Sequence, residues 1–387
     1  MFADRTNWNL APNRLAEALA QHRAKGKQLL DLTASNPTDC GFRYDTAAIL
    51  RALSNPAVTV YQPEPRGLAT ARHAVAEYYG PRGGEVPVED ILLATSTSEA
   101  YSFVFRLLCN PGDELLIPAP SYPLFDFLAD IQDVKLVRYP LFYDHGWEID
   151  FQAMRQAITS RTRGIIVVHP NNPTGNYLNS SQIKRLNEIC SARDMAVIAD
   201  EVFFDFSLMP ERPISFAANR GALTFTMSGL SKIAGLPQMK AAWLITSGPD
   251  PWKSQASERL EVIADTYLSP NTPVQVALPS FLEQRHAFQQ QLLTRVRSNL
   301  AELDRQIAGQ ESCSRLKIDG GWYAILRVPA TRPDEALAVE LLESSGVYAH
   351  PGHFYDFPRE GYLIVSLITP ESIFAEAIQR VIAVLNT

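Results

Sequence analysis

Through the middle of the chain, short apolar β-rich runs alternate with longer amphipathic stretches, and the links between them are brief. Seven runs read as strands: Ile91–Thr95, Glu114–Pro118, Lys135–Tyr139, Gly164–His169, Ala196–Ala199, Leu223–Met227 and Ala241–Thr246. Several are apolar on both faces, as strands covered by helices on two sides must be. Ser98–Cys109, Tyr122–Ile131, Phe151–Ala157 and Ser180–Arg193 read as helices between them. This alternation predicts an α/β fold whose mostly parallel sheet is flanked by helices.

The two ends read differently. Residues 9–27 look helical, and a long helical stretch from Val274 to Ala308 is placed to bridge two lobes. Beyond it come strand-like segments, Trp322–Val328 and Tyr362–Leu367, and helical ones, Asp334–Ser344 and Glu371–Leu385. The 387 residues suffice for two or three domains at roughly 150 residues each. The expected division is a large domain over 45–280 and a smaller α+β domain built from 1–44 plus 281–387.

Charge excludes some functions. Lys plus Arg is 35 and Asp plus Glu is 42, a net charge of −7, which argues against nucleic acid or a membrane surface as partner while leaving room for a local anion pocket. No run approaches the about 20 apolar residues of a membrane helix. The segment Met1-Phe2-Ala3-Asp4-Arg5 lacks the pattern of a secretory leader. Cys40, Cys109, Cys190 and Cys313 form neither a close pair nor a zinc-spaced cluster, so reduced thiols, no metal and a cytoplasmic setting are expected.

Four short segments carry the chemistry: Ala94-Thr-Ser-Thr-Ser-Glu-Ala100, His169-Pro-Asn-Asn-Pro-Thr-Gly175, Ile198-Ala-Asp-Glu-Val-Phe203 and Ser228-Gly-Leu-Ser-Lys232. Each lies at the end of a predicted strand or follows one, and ligands of open α/β sheets bind at the carboxyl ends of strands. Singly they are ordinary: Asn-Pro-Thr-Gly is a turn signal, and an Asp at a strand end is often a helix cap. Together and in this order, from Leu32 to about Pro370, they resemble the fold type I pyridoxal-phosphate-dependent aminotransferases of class I/II, the aspartate aminotransferase-like superfamily.

The resemblance implies pyridoxal 5'-phosphate as cofactor and Lys232 as the catalytic amine, holding it as a Schiff base and shuttling a proton. Asp200 matches the carboxylate beside the ring nitrogen, where it favours the protonated form. Asn172 matches the amide that bonds the ring's phenolic oxygen, and Asn171 is expected to serve the turn. Asp205 does not fit the motif and is expected at the surface. Ser96, Thr97 and Ser98 open a predicted helix, whose free N–H groups suit a phosphate. Ser231 and Lys240 stand where the family has further phosphate ligands. Tyr122 matches the aromatic residue stacked on the ring, and Tyr61 a tyrosine reaching the phosphate from a partner subunit, so a homodimer with shared sites is expected.

Three positions depart from the family pattern. Phe203 replaces a tyrosine that bonds the phenolic oxygen, so the Schiff base is expected to be more basic. Lys240 replaces an arginine, keeping charge but losing forked geometry. Ile364, in Ile364-Val-Ser366, replaces the arginine that clamps the substrate's α-carboxylate. Substitute donors for that carboxylate are Ser35, His350, His353 and Tyr355, with Arg5, Asn7, Trp322 and Tyr323 as further options.

The expected function is therefore transfer of an amino group from an amino acid to a 2-oxo acid. The departures keep a lyase, decarboxylase or oxidase on the same scaffold as the alternative. A regulator with an attached DNA-binding domain is disfavoured by the roughly 30 residues before the resemblance and by the charge. A serine hydrolase is disfavoured because Gly-x-Ser-x-Gly does not occur.

Overall fold

The computed structural model describes residues 1–82 and 84–386. Its strands in chain order are β1 (Leu30–Asp31), β2 (Ile91–Ala94), β3 (Glu114–Ala119), β4 (Lys135–Tyr143), β5 (Trp147–Ile149), β6 (Thr162–Val168), β7 (Ala196–Asp200), β8 (Thr224–Gly229), β9 (Ala242–Ser247), β10 (Ser314–Arg315), β11 (Tyr323–Arg327), β12 (Val347–Tyr348), β13 (His350–Pro351) and β14 (Tyr362–Ser366). The main sheet has eight strands in the order β2-β9-β8-β7-β6-β3-β4-β5. Pairing is parallel from β8 across to β4, and antiparallel where β9 joins β2 and β8 and where β5 joins β4.

The central strands β7, β8 and β9 are buried at every position, which is why Asp200, at the carboxyl end of β7, is their one charged residue. The helix Thr97–Leu108 starts where its N-cap, Ser96, accepts a hydrogen bond from Glu99 N–H at 3.1 Å. Ser180–Ser191 starts with a capping box between Asn179 and Gln182. These caps place helix starts next to the carboxyl ends of the sheet strands.

The smaller lobe holds an antiparallel sheet, β10-β11-β14-β13, and the parallel pair β1–β12. One helix, Thr272–Ile307, has 36 residues and at 1.5 Å per residue is about 54 Å long. Its first part buries Val274, Leu278 and Phe281 in one apolar cluster, and its second part buries Phe288, Leu292, Val296 and Leu303 in another. Asn299, 1 % exposed, donates from Nδ2 to the carbonyls of Leu367 and Thr369 at 2.8 Å each, tying this helix to the end of β14. No helix among the described residues is long and apolar enough to cross a membrane.

The structure shifts two expected helices. The stretch expected from Tyr122 is helical only over Phe125–Asp130, because Pro123 holds Tyr122 out of the helical region and Ser121 N–H donates instead to Tyr355 O at 2.8 Å. The helix expected over 9–27 spans Arg14–Ala24, between the Asn13 cap and Gly26, whose φ is +63°. Asp205 is not a free surface residue. It accepts from Gln289 Nε2 at 2.6 Å and from Tyr78 Oη at 3.2 Å, so it joins the long helix to the sheet lobe.

Candidate active site

The carboxyl ends of β2, β6, β7 and β8 surround a cavity of about 430 Å³ whose far wall is the small lobe. The large lobe contributes Ser96, Thr97, Ser98, Tyr122, Asn172, Asp200, Ser231 and Lys232. Thr33, Ser35, Tyr323, His350 and Tyr355 come from the other side, and Leu124, Phe125 and Phe203 add apolar wall.

Asp200 closes β7 and is 8 % exposed. Its Oδ2 accepts from Tyr101 Oη at 3.0 Å and its Oδ1 from Val202 N–H at 3.0 Å. Burial pushes the carboxyl up to about 6, against those two donors and the charge of Lys232. Tyr101, fully within the helix Thr97–Leu108, is itself held well above the usual phenol range by burial and by Asp200. Sequence reasoning missed Tyr101. Its signal is a phenol on the buried face of a helix otherwise lined by Phe103, Val104 and Phe105, since a buried hydroxyl needs a partner.

Lys232 follows β8 in a short helical turn, Leu230–Ile233. Its Nζ donates to Ser35 O at 3.4 Å and stands 5.0 Å from the ring centre of Trp322 and 5.7 Å from that of Phe203. Burial lowers its pKa to about 8, with Asp200 opposing. The neutral amine is therefore populated far below the ordinary lysine range. Acylation of Lys232 in the apoprotein, followed by peptide mapping, is expected to rise with pH and level off above about 8, where an exposed lysine would still be accelerating toward about 10.4. A titration that keeps rising to the ordinary lysine range would contradict the desolvated amine.

Asn172 is 6 % exposed and lines the cavity, and its Oδ1 has no hydrogen-bond partner. Asn171 turns the other way, donating from Nδ2 to Pro120 O at 3.0 Å and Thr174 Oγ1 at 2.8 Å, as a turn residue does. His169 serves packing: Leu178 N–H donates to its Nδ1 at 3.2 Å, and its Nε2 lies 3.0 Å from Ile214 O. Burial lowers its pKa to about 4, so it stays neutral. Thr97 and Ser98 are the first helical residues, whose N–H groups have no intrahelical partner.

Several expected participants stand apart from the cavity. Lys240 is exposed, with φ +52°, and is not among the lining residues. His353 is exposed and packs on Phe354. Arg5 pairs with Asp133, Asn7 N–H donates to Asp4 O at 3.0 Å, and neither is among the residues lining the cavity. Trp322 lies behind the wall, under Lys232. Tyr61 is 71 % exposed and is not among the residues lining its own chain's cavity. Ile364 is 1 % exposed within the small-lobe core.

With this geometry in view, comparison with known proteins is specific. Residues 27–381 match the family described as aminotransferase class I and II. The chain is 29 % identical over 362 residues to the glutamate-pyruvate aminotransferase AlaA of Escherichia coli (strain K12), spanning 89 % of this chain and 87 % of that one. It is 28 % identical over 376 residues to the alanine aminotransferase of Mycobacterium tuberculosis (strain ATCC 25618 / H37Rv), spanning 93 % and 86 %. A crystal structure of an aminotransferase from Escherichia coli superposes with a TM-score of 0.89 at 25 % identity, over 100 % of this chain and 98 % of that one. The chain belongs to the class I and II aminotransferases, pyridoxal-phosphate-dependent enzymes of fold type I that act on amino acids.

Proposed function

We propose that this cavity moves an amino group from an amino acid to a 2-oxo acid, with Lys232 as the amine that carries the cofactor and moves the proton. The observation that carries the reading is that Lys232 and the buried Asp200 line one cavity together with Asn172, whose Oδ1 has no hydrogen-bond partner. The donor set fits pyridoxal phosphate: a buried carboxylate for a basic ring nitrogen, an amide for the phenolic oxygen, and hydroxyls with a helix start for the phosphate. When bound, the cofactor supplies an electron sink for the substrate's α-carbon.

The chain's own residues do the rest. Asp200, fixed by Tyr101 and Val202 N–H, holds positive charge at the ring nitrogen. Ser96, Thr97, Ser98 and Ser231 would hold the phosphate, and Tyr122 would orient the ring. Lys232 changes charge near neutral pH, so its Nζ can accept a proton and return it within one turnover. Phe203 beside it excludes water and offers no hydroxyl. The large domain, 45–280, carries these groups, and the small domain, 1–44 with 281–387, closes over them. Four free thiols agree with a cytoplasmic setting.

The test is a screen of amino donors against 2-oxo acids with the purified protein and pyridoxal phosphate. Paired consumption of 2-oxo acid and amino donor is expected. Release of ammonia, carbon dioxide or peroxide without a new amino acid would overturn the reading.

We also place the active unit as a homodimer. Tyr61 and its neighbour Val60 are exposed, at 71 % and 54 %, and Tyr61, which is not among the residues lining its own cavity, is available to serve a partner's. Mixing Tyr61→Phe with Lys232→Ala protein is expected to give hybrid dimers with one intact site. Recovered activity near one quarter of wild type follows from random assortment, roughly half the dimers being hybrid with one good site each. No recovery on mixing would remove the shared site.

A further inference from the structure

The reading of this cavity as an aminotransferase site leaves one anion unanswered, and the present inference rests on that reading. Besides the cofactor's phosphate, each substrate brings a carboxylate. Taking it out of water without a partner is costly. Among the described lining residues the cations are Lys232 alone, which serves the cofactor, and the only carboxylate is Asp200. The only other side chain of that wall able to gain positive charge near neutral pH is His350.

The fold delivers His350 to the cavity by strand register. His350 in β13 is the register partner of Ile364 in β14, so both side chains stand on one face of the sheet. Ile364 is sealed in the core and has no polar atom, whereas His350 beside it reaches the cavity wall. The imidazole Nδ1 lies 3.2 Å from Tyr355 Oη. Tyr355 is 4 % exposed and lines the same wall. The rings of Tyr348, Phe354 and Tyr355, with centres 5.8, 5.7 and 6.0 Å away, fix the imidazole plane. With Nδ1 engaged, Nε2 is left for a ligand.

Burial lowers the pKa of the His350 ring, and the Asp31 carboxylate of β1 opposes that shift. The Asp31 carboxylate also accepts from Thr33 N–H and Oγ1 at 2.7 Å each. On the ring's own segment, Tyr348 and Tyr355 are phenols, His353 is exposed, and Asp356 is paired with Arg138. From β14 comes Tyr362, whose ring packs tilted against Phe357. The helix Asp334–Ser345 packs on β13, but its Asp334 accepts from Gly361 and Tyr362 N–H, and its Glu340 pairs with Arg332.

We propose that His350, positioned by Tyr355, binds the substrate's carboxylate, that it does so with uptake of a proton, and that its ligands are amino and 2-oxo acids bearing a single carboxylate. One imidazolium offsets one carboxylate, and no other cation lines the described wall to reward a second.

The experiment is calorimetric titration of the pyridoxal-phosphate-loaded protein with propionate and with succinate, from about pH 6 to about pH 8.5, in buffers of different ionisation heat. For the wild type, propionate binding is expected to weaken by up to about tenfold per pH unit as the ring deprotonates, with close to one proton taken up on binding. Succinate is expected to bind within about threefold of propionate, the difference a statistical second carboxylate makes in the absence of a second cation. His350→Asn is expected to weaken propionate at least about tenfold at the acid end and to abolish proton uptake, and His350→Arg to restore affinity without pH dependence, because guanidinium keeps its charge throughout. Unchanged affinity and proton uptake in His350→Asn, with the visible absorption of bound cofactor intact, would overturn this inference and leave the aminotransferase reading standing. Succinate binding at least about tenfold tighter than propionate would overturn the single-carboxylate class. A wild-type protein that takes up no cofactor would overturn the site assignment and this inference with it.

Discussion

Lys232→Ala is expected to lower amino-group transfer by at least about 10⁴-fold, because one side chain serves both as the covalent anchor and as the proton-transfer group. The fold explains why no neighbour can substitute. Among the described residues lining the cavity there is no second amine, and Lys240 stands outside the wall. The loss should not be a loss of folding. Lys232 is a base whose folded pKa, about 8, lies below its ordinary 10.5. Folding therefore gives up proton affinity there, and the protein carries that penalty below pH 8, losing it as pH rises toward 10.5. Removing the amine removes the penalty, so the alanine variant's apoprotein should unfold at the same or higher denaturant concentration at pH 7, with the advantage fading between 8 and 10.5. Turnover with saturating donor and acceptor, run beside denaturant unfolding, checks both halves. Retention of more than about 1 % of wild-type turnover would show that another group carries the proton.

Which parts of this site were legible in the sequence follows from which forces build it. The strands announced themselves because β7, β8 and β9 are buried on both faces and carry no charged residue before Asp200 at the end of β7. The residues at their ends, Asp200, Asn172 and Lys232, could then be assembled by the rule that ligands gather at strand carboxyl ends. Ser96 doubles as a helix cap, and a cap has a local signature. What escaped depends on contacts distant in sequence. Tyr101 is 99 positions from Asp200, and nothing local marks the pair. Asp205 looked like a surface acid because its partners, Tyr78 and Gln289, lie 127 and 84 positions away. The helix start expected at Tyr122 failed on Pro123, a local rule that apolar periodicity masked. His350 and His353 look alike in sequence, three residues apart in one turn. Only the pairing of β13 with β14 sends the first into the cavity and leaves the second in solvent. Function was legible where chemistry sits on strand ends, and illegible where the small lobe supplies it through register.

Asp200→Asn is expected to lower kcat/KM by about 10³-fold, the scale for removing one preorganised electrostatic partner from a water-excluded site. The substitution is nearly isosteric. Asn Oδ1 can still accept from Val202 N–H, but the Tyr101 hydroxyl would then face an amide rather than a carboxylate. What disappears is the charge. Two consequences follow from its sign. First, the cofactor's ring nitrogen loses the anion that favours its protonated form. Second, Lys232 loses the charge that raises its pKa, so its amine should titrate below about 8, and acylation of Lys232 in the variant apoprotein should level off at lower pH than in the wild type. Stability should move the opposite way from activity. The Asp200 carboxyl is held at about 6, above its ordinary 3.8, so the folded state binds more protons than the unfolded state across that window, and ionisation costs stability as pH rises through it. An asparagine escapes that cost. At pH 7 the variant apoprotein should therefore be more stable than the wild type, and the gap should close as pH falls from 6 toward 3.8. Such a gain in stability at the expense of turnover is characteristic of a group kept for its chemistry rather than its packing. A variant that is both less active and less stable at pH 7 would mean that Asp200 holds the fold, with its charge serving structure before catalysis.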